Sequence, residues 1–406
     1  MPEQSRVNSM LRLRPFRGVR YNTDLVPDLA DVSSPPYDVM DRQMIDHLLD
    51  ESPRNVVRLI LPRMVSDPLS DVDPYARAAL LLARWRSEGL LVADPRPALY
   101  VYEYGHPGET VCGIVGALEL TPPDDHAVLP HEDVMEPIIA DRLAMMTAAQ
   151  ANLEPIMLVY DGGGAVASIV NAARASAPLI DIRSPDGAAH RLWRIDDPET
   201  TAEVDRRLSN RQALIADGHH RYATYLRLQA AHQADGPGPW DRGLALLIDQ
   251  STCPVQLGPI HRSVSDLRLD SLTAPAGFSM SATADVVAGE PPSPGRGDFA
   301  LTDGRQYVLL AHVGPRDPSV SDAELLHSQI LPVWSVGEDQ IGYHHSVDQA
   351  RRSARHSGGI AIIMHPASVA EVMDVARAGK VMPRKSTSFG PKPRTGLVMR
   401  VFADEL

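Results

Sequence analysis

The sequence predicts a mixed α/β (α+β) protein, because short apolar strands and amphipathic helices follow one another along the whole chain. A hydrophobic fraction of 44% with 22% charged residues is ordinary for a globular protein. At 406 residues the chain is long enough for several domains. We divide it into an N-terminal α/β region (1–120), a core region (121–264) and a C-terminal α/β region (265–406). The last boundary follows from a weakly patterned stretch at 263–294.

The individual elements follow from caps, turn residues and apolar periodicity. In the N-terminal region we predict a helix at Asp41–Asp50 capped by Asp41, a strand at Asn55–Leu61, a helix from Pro74 to Glu88 ended by Gly89, and a hairpin of Ala98–Glu103 with Val111–Leu120. In the core region we predict a helix through Asp141 to Gln150, a strand at Ile156–Tyr160, a strand, turn and helix over Gln212–Ala231, and a strand at Gly243–Asp249. In the C-terminal region we predict a hairpin over Phe299–Val313, strands at Gly359–Met364 and Gly396–Phe402, and a helix at Ser368–Ala378 ended by Gly379.

The composition excludes several classes of protein. A formal charge of −13 disfavours nucleic acid as a partner. Met1–Leu13 lacks the apolar core of a signal peptide, and no apolar run reaches the length of a membrane span, so we expect a cytoplasmic protein without a membrane partner. Cys112 and Cys253 lack metal-type spacing and are expected to be two buried thiols.

The densest group of reactive side chains is Asp217-Gly218-His219-His220-Arg221, which follows a short apolar run and precedes a helix. Gly218 permits a sharp turn, and the N-terminus of the helix offers free amides and a positive dipole end to an anion. Arg221 suits phosphate, the histidines donate hydrogen bonds or bind metal, and Asp217 holds Mg²⁺ or accepts a proton. The alternative is an ordinary helix cap.

His131-Glu132 begins like a zinc-protease helix, but Met135 stands where the second histidine should fall. A carboxylate beside an imidazole could instead supply a general base, or a second ligand for a divalent cation. The alternative is a solvated acidic loop.

The lysines are unusually placed. Of 39 basic residues only Lys380, Lys385 and Lys392 are lysines, and all three lie in one C-terminal segment. The loop Arg384-Lys385-Ser386-Thr387 through Lys392 places ammonium and hydroxyl groups where they could bind phosphate. A flexible basic loop is the alternative. The pair His344-His345 has no third ligand nearby in the sequence and is expected to be a surface or turn feature.

The sequence resembles the bacterial domain-of-unknown-function family 1015 over nearly its whole length. The resemblance is carried by Arg14-Pro-Phe, Pro35-Pro-Tyr37-Asp38, His131-Glu132, Asp141-Arg142, Asn152, Asp217 to Tyr222, and Met382 to Phe389. The family's name settles no reaction. From this set we expect a role in substrate contact or support for Tyr37, Asp38, His131, Asp141, Arg142, Asn152 and Tyr222.

A second resemblance is local. The Asp217-Gly-His-His-Arg221 turn is similar to a turn of free serine kinases, which belong to the ParB/sulfiredoxin-like group of folds and phosphorylate the hydroxyl of free serine. The resemblance implies a ParB/sulfiredoxin-like core elaborated by the N- and C-terminal segments. It also implies a phosphotransferase for free L-serine or a related hydroxylated metabolite, with Mg²⁺ and ATP, ADP or pyrophosphate as donor.

The roles implied for this chain divide into catalysis and phosphate binding. The catalytic candidates are Asp217, Glu132 and His220, with Asp217 and Glu132 also as metal ligands. The phosphate-binding candidates are Gly218, His219, His220, Arg221, Lys385, Ser386, Thr387 and Lys392. A metal-dependent phosphohydrolase and a non-catalytic nucleotide-binding regulator remain alternatives, and the sequence is compatible with a homodimer.

Overall fold

Helices and strands alternate along most of the chain, so the mixed α/β prediction is confirmed. The computed structural model describes residues 11–65, 71–282, 293–317, 320–383 and 385–405. The predictions for Met1–Met10, for Arg384 and for part of the stretch 263–294 lie outside these residues.

Within the described residues, the helices are α1 (Arg42–Glu51), α2 (Val57–Ile60), α3 (Pro74–Ser87), α4 (Glu136–Ala149), α5 (Ala167–Arg174), α6 (Pro198–Leu208), α7 (His219–Ala231), α8 (Asp322–Leu325), α9 (Val347–His356) and α10 (Val369–Arg377). The strands of the same part of the chain are β1 (Leu13–Arg14), β2 (Gly18–Tyr21), β3 (Leu91–Ala93), β4 (Leu99–Gly105), β5 (Val111–Glu119), β6 (Val128–Leu129), β7 (Ala151–Asn152), β8 (Ile156–Tyr160), β9 (Ile180–Arg183), β10 (Ala189–Ile195), β11 (Ala213–Asp217), β12 (Arg242–Asp249), β13 (Gln256–Gly258), β14 (His261–Val264), β15 (Phe278–Ala282), β16 (Phe299–Thr302), β17 (Tyr307–His312), β18 (Ile341–His344), β19 (Ile360–Ile363), β20 (Ser388–Gly390) and β21 (Met399–Val401).

The contacts divide the chain into two compact units. Unit 1 comprises 1–129, 134–255 and 391–406, and unit 2 comprises 130–133 and 256–390. The chain therefore leaves unit 1, builds most of unit 2, and returns to unit 1 for its last segment. The three regions proposed from the sequence, and the ParB/sulfiredoxin-like core, stay predictions.

Unit 1 is built on a nine-stranded sheet. Its strands run in the order β6-β11-β8-β12-β5-β4-β10-β9, with β1 also paired to β5. Strand β11 is parallel to β6 and antiparallel to β8, and β8 is parallel to β12. All five residues of β8 are buried, and so are all five of β11, which is the pattern of strands covered on both faces. This sheet therefore holds the end of β11, where Asp217 lies, in a rigid position.

A second sheet of unit 1 joins distant parts of the chain. Its order is β3-β2-β21-β7, so β21, the last strand of the described residues, lies between two much earlier strands. Helix α4 packs against α3 and α7 in the same unit. The C-terminal segment is thus part of the body of unit 1.

Unit 2 contains a six-stranded antiparallel sheet in the order β15-β17-β16-β19-β14-β18 and a separate β13-β20 pair. Its apolar core collects side chains from β14, β16, β17 and β19 and from the turn that follows α8, where Leu326–Ile330 forms a π-helix. Helix α9 packs on β14 and β19.

One predicted strand is wrong. Asn55–Leu61 forms the short helix α2 (Val57–Ile60) instead. The Asn55 side chain accepts a hydrogen bond from the Val57 amide and donates to the carbonyl oxygens of Asp31 and Ser33, which favours a turn over extended backbone. The strand predicted at Gly396–Phe402 is shorter, since only β21 (Met399–Val401) is paired.

The two thiols are neighbours in unit 1. Cys112 on β5 is buried and Cys253 is partly exposed, so the expectation of two buried thiols holds only for the first. The turn after β12 places the Cys253 amide 2.8 Å from the Asp249 carbonyl oxygen. The two side chains hydrogen bond to each other and line one cavity.

Among the residues that the structure describes, no helix has the length and apolar character that a bilayer crossing needs.

Candidate functional site

The turn after β11 requires glycine. Gly218 has a φ of +97°, in the left-handed region that side chains disfavour. A Cβ added there would lie 2.8 Å from Ile156 Cγ2 and 3.2 Å from Arg221 Nε. Helix α7 begins at the next residue, and the Tyr222 amide donates to the Gly218 carbonyl oxygen over 2.9 Å. The predicted order of strand, tight turn and helix is therefore present. The first amides of α7, which have no partner within the helix, come directly after Asp217 and Gly218 in the sequence.

Asp217 lies between two cations. Its Oδ2 is 2.5 Å from Arg221 Nη2, and its Oδ1 is 2.6 Å from Lys392 Nζ. The same ammonium lies 2.6 Å from Asp38 Oδ2. The Asp217 and Arg221 side chains are 6% and 2% exposed, whereas those of Lys392 and Asp38 are 25% and 35% exposed. Two carboxylates thus share one ammonium at the edge of a buried ion pair.

The pKa values of these groups move in different directions. Burial raises the pKa of Asp217, and the charge of Asp38 adds to the rise, although Arg221 and Lys392 oppose it. Burial also raises the pKa of Asp38, but Lys392 and Arg221 outweigh it and the net shift is downward. The pKa of Lys392 is lowered by burial and raised more strongly by the two carboxylates. Asp217 is therefore the carboxylate of this pair that takes a proton more readily.

Tyr37 lies between two guanidinium groups. Its ring centroid is 4.6 Å from Arg142 Cζ and 5.8 Å from Arg221 Cζ, within the range of cation–π attraction. Burial raises the pKa of its hydroxyl to about 12. The ring therefore packs against both guanidinium groups and helps to hold Arg221 in place.

Glu154 belongs to the same group and was missed from the sequence. It is buried, and its Oε1 accepts hydrogen bonds from the Tyr37 amide and from Thr395 Oγ1, each over 3.2 Å. Burial raises its pKa, while Arg221 and Arg142 oppose the shift. An acid between Leu153 and the apolar strand β8 is the signal that could have identified it.

The histidines at the start of α7 have different surroundings. His219 is buried. His220 Nε2 accepts a hydrogen bond from the Met135 amide over 3.0 Å, which places the proton of the neutral ring on Nδ1. Any hydrogen bond that His220 donates to a phosphate would therefore come from Nδ1.

Asp141 and Arg142 support the site from helix α4. Arg142 Nη2 lies 2.5 Å from Asp141 Oδ2, and its Nη1 donates to the Ile60 carbonyl oxygen over 2.7 Å. The Tyr75 hydroxyl donates to Asp141 Oδ1 over 2.6 Å. These contacts hold the Arg142 guanidinium in position over Tyr37.

Asn152 and Tyr222 have structural contacts. Asn152 Oδ1 accepts hydrogen bonds from the Leu244 amide at 3.2 Å and from Arg400 Nη1 at 2.8 Å. The Tyr222 hydroxyl donates to the Thr121 carbonyl oxygen over 3.4 Å. Asn152 therefore joins β7, β12 and the C-terminal segment within unit 1.

The other predicted residues meet in unit 2. Glu132 Oε1 accepts a hydrogen bond from the Lys385 amide over 3.1 Å, and His131 Nε2 lies 3.0 Å from Thr387 Oγ1. The Met382 amide donates to the His131 carbonyl oxygen over 2.8 Å. The structure thus brings His131-Glu132 and the lysine loop together, and Glu132 contacts the backbone of that loop.

The lysine loop itself is constrained. Lys385 has a φ of +55°, and its Nζ lies 5.9 Å from the centroid of the Tyr343 ring. The Ser386 hydroxyl donates to the Pro383 carbonyl oxygen. Lys392 lies in unit 1, so the lysines that are clustered in the sequence are divided between the two units. The phosphate-binding roles of Lys385, Ser386 and Thr387, and the role of Glu132 as base, stay predictions.

The predicted metal ligands Asp217 and Glu132 also belong to different units. In the part of the chain that the structure describes, no group of three or more His, Cys, Asp or Glu side chains is placed to hold a metal. Asp217 instead has Asp38 as its carboxylate neighbour, since both contact Lys392.

Fold and site together define a mixed α/β protein with a buried, charge-paired turn at the end of a central strand. A family model described as "Protein of unknown function (DUF1015)" matches residues 13–333, so the chain belongs to that family. No curated protein matches the chain.

Three solved structures illustrate what the chain is similar to. A mutant of free serine kinase in complex with AMP is 17% identical with a TM-score of 0.38, and the match covers 72% of this chain and 93% of that chain. A conserved hypothetical protein from Pyrococcus furiosus is 16% identical with a TM-score of 0.34, covering 68% and 90%. SbnI with a C-terminal truncation from Staphylococcus aureus is 11% identical with a TM-score of 0.37, covering 70% and 85%.

Proposed function

We propose that this protein is a kinase-like phosphotransferase that transfers a phosphoryl group to the hydroxyl of a small metabolite, with free L-serine as the first candidate. The donor is ATP, ADP or pyrophosphate. One observation carries the proposal. A carboxylate with a raised pKa ends a central strand, directly before a glycine turn and a helix N-terminus, and it shares an ammonium with a second carboxylate. This arrangement combines an anion-binding element with a proton acceptor.

In this proposal the donor's phosphates bind at the N-terminus of α7, where the amides after Gly218 and the side chain of His220 donate hydrogen bonds. Lys392 supplies positive charge from a partly exposed position. Arg221 is 2% exposed and paired with Asp217, so it acts by orienting that carboxylate rather than by contacting phosphate. This changes the role that the sequence suggested for Arg221.

The chemical step is a direct displacement at phosphorus. The substrate hydroxyl oxygen forms a bond to the terminal phosphorus while the bond to the leaving phosphate oxygen breaks. The hydroxyl proton passes to Asp217, whose raised pKa makes it a better acceptor than an ordinary aspartate. Most of the rate enhancement comes from positioning and charge neutralisation.

The two carboxylates that contact Lys392 are ligands of the kind that Mg²⁺ binds. Mg²⁺ is commonly bound through one or two carboxylates together with substrate phosphates, and Asp38 and Asp217 are two carboxylates close to one cation. Asp38, the more exposed of the two, would hold the ion, which would neutralise charge on the donor's phosphates, and Asp217 would remain the proton acceptor.

The test is a phosphorus NMR time course of the full chain with Mg²⁺ and L-serine, in separate tubes with ATP, ADP and pyrophosphate. L-alanine, which lacks the hydroxyl, is the matched control substrate. We expect a phosphomonoester signal that grows only with serine. Release of free phosphate with serine and equally with alanine would support a phosphohydrolase. Broadening of the nucleotide phosphorus signals without turnover would support a nucleotide-binding regulator.

Variants connect the activity to the site. We expect Asp217→Asn to abolish turnover, since the amide cannot accept the proton, while Asp181→Asn on the exposed face of β9 leaves it unchanged. Glu132→Gln tests the remaining prediction that Glu132 is the base. An active Asp217→Asn variant of normal stability would remove Asp217 from the mechanism.

A further inference from the structure

A cavity of about 160 Å³ in unit 1 is lined by both cysteines of the chain and takes no part in the proposed phosphotransfer. One buried water needs roughly 10–15 Å³ of such space, so the cavity admits a molecule of a few heavy atoms. Asp217 pairs with Met157 near the start of β8. Asp249, which lines the cavity, pairs with Tyr160 at the end of β8. The cysteines and Asp217 therefore lie at opposite ends of one strand.

The fold places the two thiols beside each other. Cys112 lies on β5, in which Ile114 is paired with Leu247 of β12, so Cys112 lies next to the end of β12. Cys253 follows in the turn after β12, where its amide donates to the Asp249 carbonyl oxygen over 2.8 Å. The Cys253 sulfur accepts hydrogen bonds from the thiol and from the amide of Cys112. Sulfur atoms in such contact are within reach of the disulfide bond that their oxidation would form.

The two thiols differ in access and in charge. Cys112 is 4% exposed, whereas Cys253 is partly exposed. The hydrogen bond from the Cys112 thiol lowers the pKa of Cys253 to about 7, and the charge of Arg174 acts in the same direction, although burial opposes both. The same hydrogen bond raises the pKa of Cys112, and burial adds to the rise. Cys253 therefore supplies the thiolate, which is the reactive form of the group.

We propose that Cys253 is a site of oxidation by hydrogen peroxide or another small hydroperoxide, and that Cys112 converts the product to a disulfide. In the first step the Cys253 thiolate attacks one peroxide oxygen, the O–O bond breaks, and a sulfenic acid and hydroxide form. In the second step the Cys112 sulfur attacks the Cys253 sulfur, the S–O bond breaks, and the departing hydroxide takes the Cys112 proton. The two sulfur atoms give two electrons to the peroxide, and with the proton released by Cys253 it ends as two molecules of water.

Cys112 is placed to stop the oxidation at the disulfide. A sulfenic acid that meets no thiol can be oxidised further to irreversible products, whereas a neighbouring thiol condenses with it to a disulfide that reductants reverse. Because Cys112 already contacts the Cys253 sulfur, the disulfide forms within one chain. It joins β5 to the turn after β12 and involves none of the groups around Asp217, so the modification is independent of the proposed phosphotransfer.

The test is peptide mass spectrometry of the full chain after treatment with hydrogen peroxide at pH 7, with remaining thiols blocked by N-ethylmaleimide and without reductant. We expect a peptide cross-linked through Cys112 and Cys253, formed at a rate independent of protein concentration and reversed by dithiothreitol. About half of Cys253 is thiolate at this pH, against about 3% of free cysteine, but a thiolate of lower pKa is a weaker nucleophile. We therefore expect Cys253 to react about threefold faster than free cysteine.

Two results overturn the proposal. One is oxidation of Cys253 without the cross-link to Cys112, and the other is a reaction of Cys253 no faster than that of free cysteine.

Variants separate the two roles. Cys112→Ala removes the second thiol, so Cys253 should stop at the sulfenic acid and be labelled by dimedone, more slowly because a hydrogen bond to its sulfur is lost. Cys253→Ala should leave Cys112 as an unreacted thiol, since that side chain is buried. If Cys112→Ala does not fold, Cys112→Ser takes its place. Labelling of Cys112 in folded Cys253→Ala, or no labelling of Cys253 in the folded Cys112 variant, overturns the assigned roles. Asp217→Asn should form the cross-link normally whatever its effect on phosphotransfer.

Discussion

Replacing Lys392 by methionine should destabilise unit 1, and the loss should depend on pH. Its Nζ lies 2.6 Å from both Asp38 Oδ2 and Asp217 Oδ1, so the substitution leaves two adjacent carboxylates with Arg221 as the cation next to them. Breaking a buried ion pair costs about 3–5 kcal/mol. Lys392 is a quarter exposed and Asp217 keeps Arg221, so we expect a smaller loss of about 2 kcal/mol near neutral pH.

The sign of the pH dependence follows from the two carboxylates. Asp38 has a lowered pKa in the folded protein. Its contribution to the free energy of unfolding is therefore present above the pKa of Asp38 in the unfolded chain, and it is lost as the pH falls through the lower pKa of the folded protein. Asp217 has a raised pKa, so its contribution is greatest below the unfolded pKa and is lost as the pH rises through the folded value. Without Lys392 both pKa values rise, and the stability lost should be larger at pH 8 than at pH 5.

The assay is urea denaturation at pH 5 and pH 8, with the free energy of unfolding compared between Lys392→Met and the native chain. Lys380→Met, an exposed lysine of unit 2, is the matched control and should stay within about 0.5 kcal/mol of the native protein. A loss for Lys392→Met that is no larger than the control, or that is equal at both pH values, would refute the reasoning.

Three further predictions concern the same unit. Gly218→Ala should lower the free energy of unfolding by about 1–3 kcal/mol, because Gly218 combines a positive φ with a 2.8 Å approach of the added Cβ to Ile156. Gly163→Ala is the control and should cost less, since Gly163 has a φ of +57° and nothing lies within 4 Å of its added Cβ. Equal losses of stability in thermal denaturation would contradict this. Tyr37→Leu should lose about 1 kcal/mol more of the free energy of unfolding than Tyr37→Phe, because phenylalanine keeps a ring between Arg142 and Arg221. Equal stabilities of the two variants in urea denaturation would exclude a cation–π contribution. The hydrogen bond from Cys112 lowers the pKa of Cys253 to about 7. The rate of Cys253 alkylation by iodoacetamide should therefore rise through pH 7 and level off above about pH 8. A rate that still rises up to pH 9.5 would show that Cys253 is an ordinary thiol.

The local features of the site could be predicted from the sequence, and its long-range partners could not. The turn at Gly218 was identified because strand, glycine and helix are adjacent in the chain. The cap at Asp41 was placed correctly for the same reason, since its side chain accepts a hydrogen bond from the amide three residues later. These are local interactions whose residue preferences are strong.

The partners of Asp217 required the fold. Lys392 contacts Asp38, which is 354 residues away along the chain, and no spacing rule connects them. The clustering of lysines in the sequence suggested one phosphate loop, but Lys392 belongs to unit 1 and Lys385 to unit 2. Glu154 was missed because an isolated acid beside an apolar strand is a much weaker signal than a dense motif such as Asp217–Arg221. Asn55–Leu61 was misassigned because apolar periodicity in short segments does not separate strand from helix.

The return of the chain to unit 1 has a consequence for biosynthesis. Strand β21 lies between β2 and β7. Its middle residue, Arg400, is fully buried and donates hydrogen bonds to Asn152 Oδ1 and to the carbonyl oxygens of Arg242 and Pro239. On the ribosome, unit 2 can complete its sheet while unit 1 still lacks this strand and the ammonium of Lys392. The ion pairs of Lys392 with Asp38 and Asp217 can therefore form only after unit 2 has been synthesised and the segment that carries Lys392 has emerged.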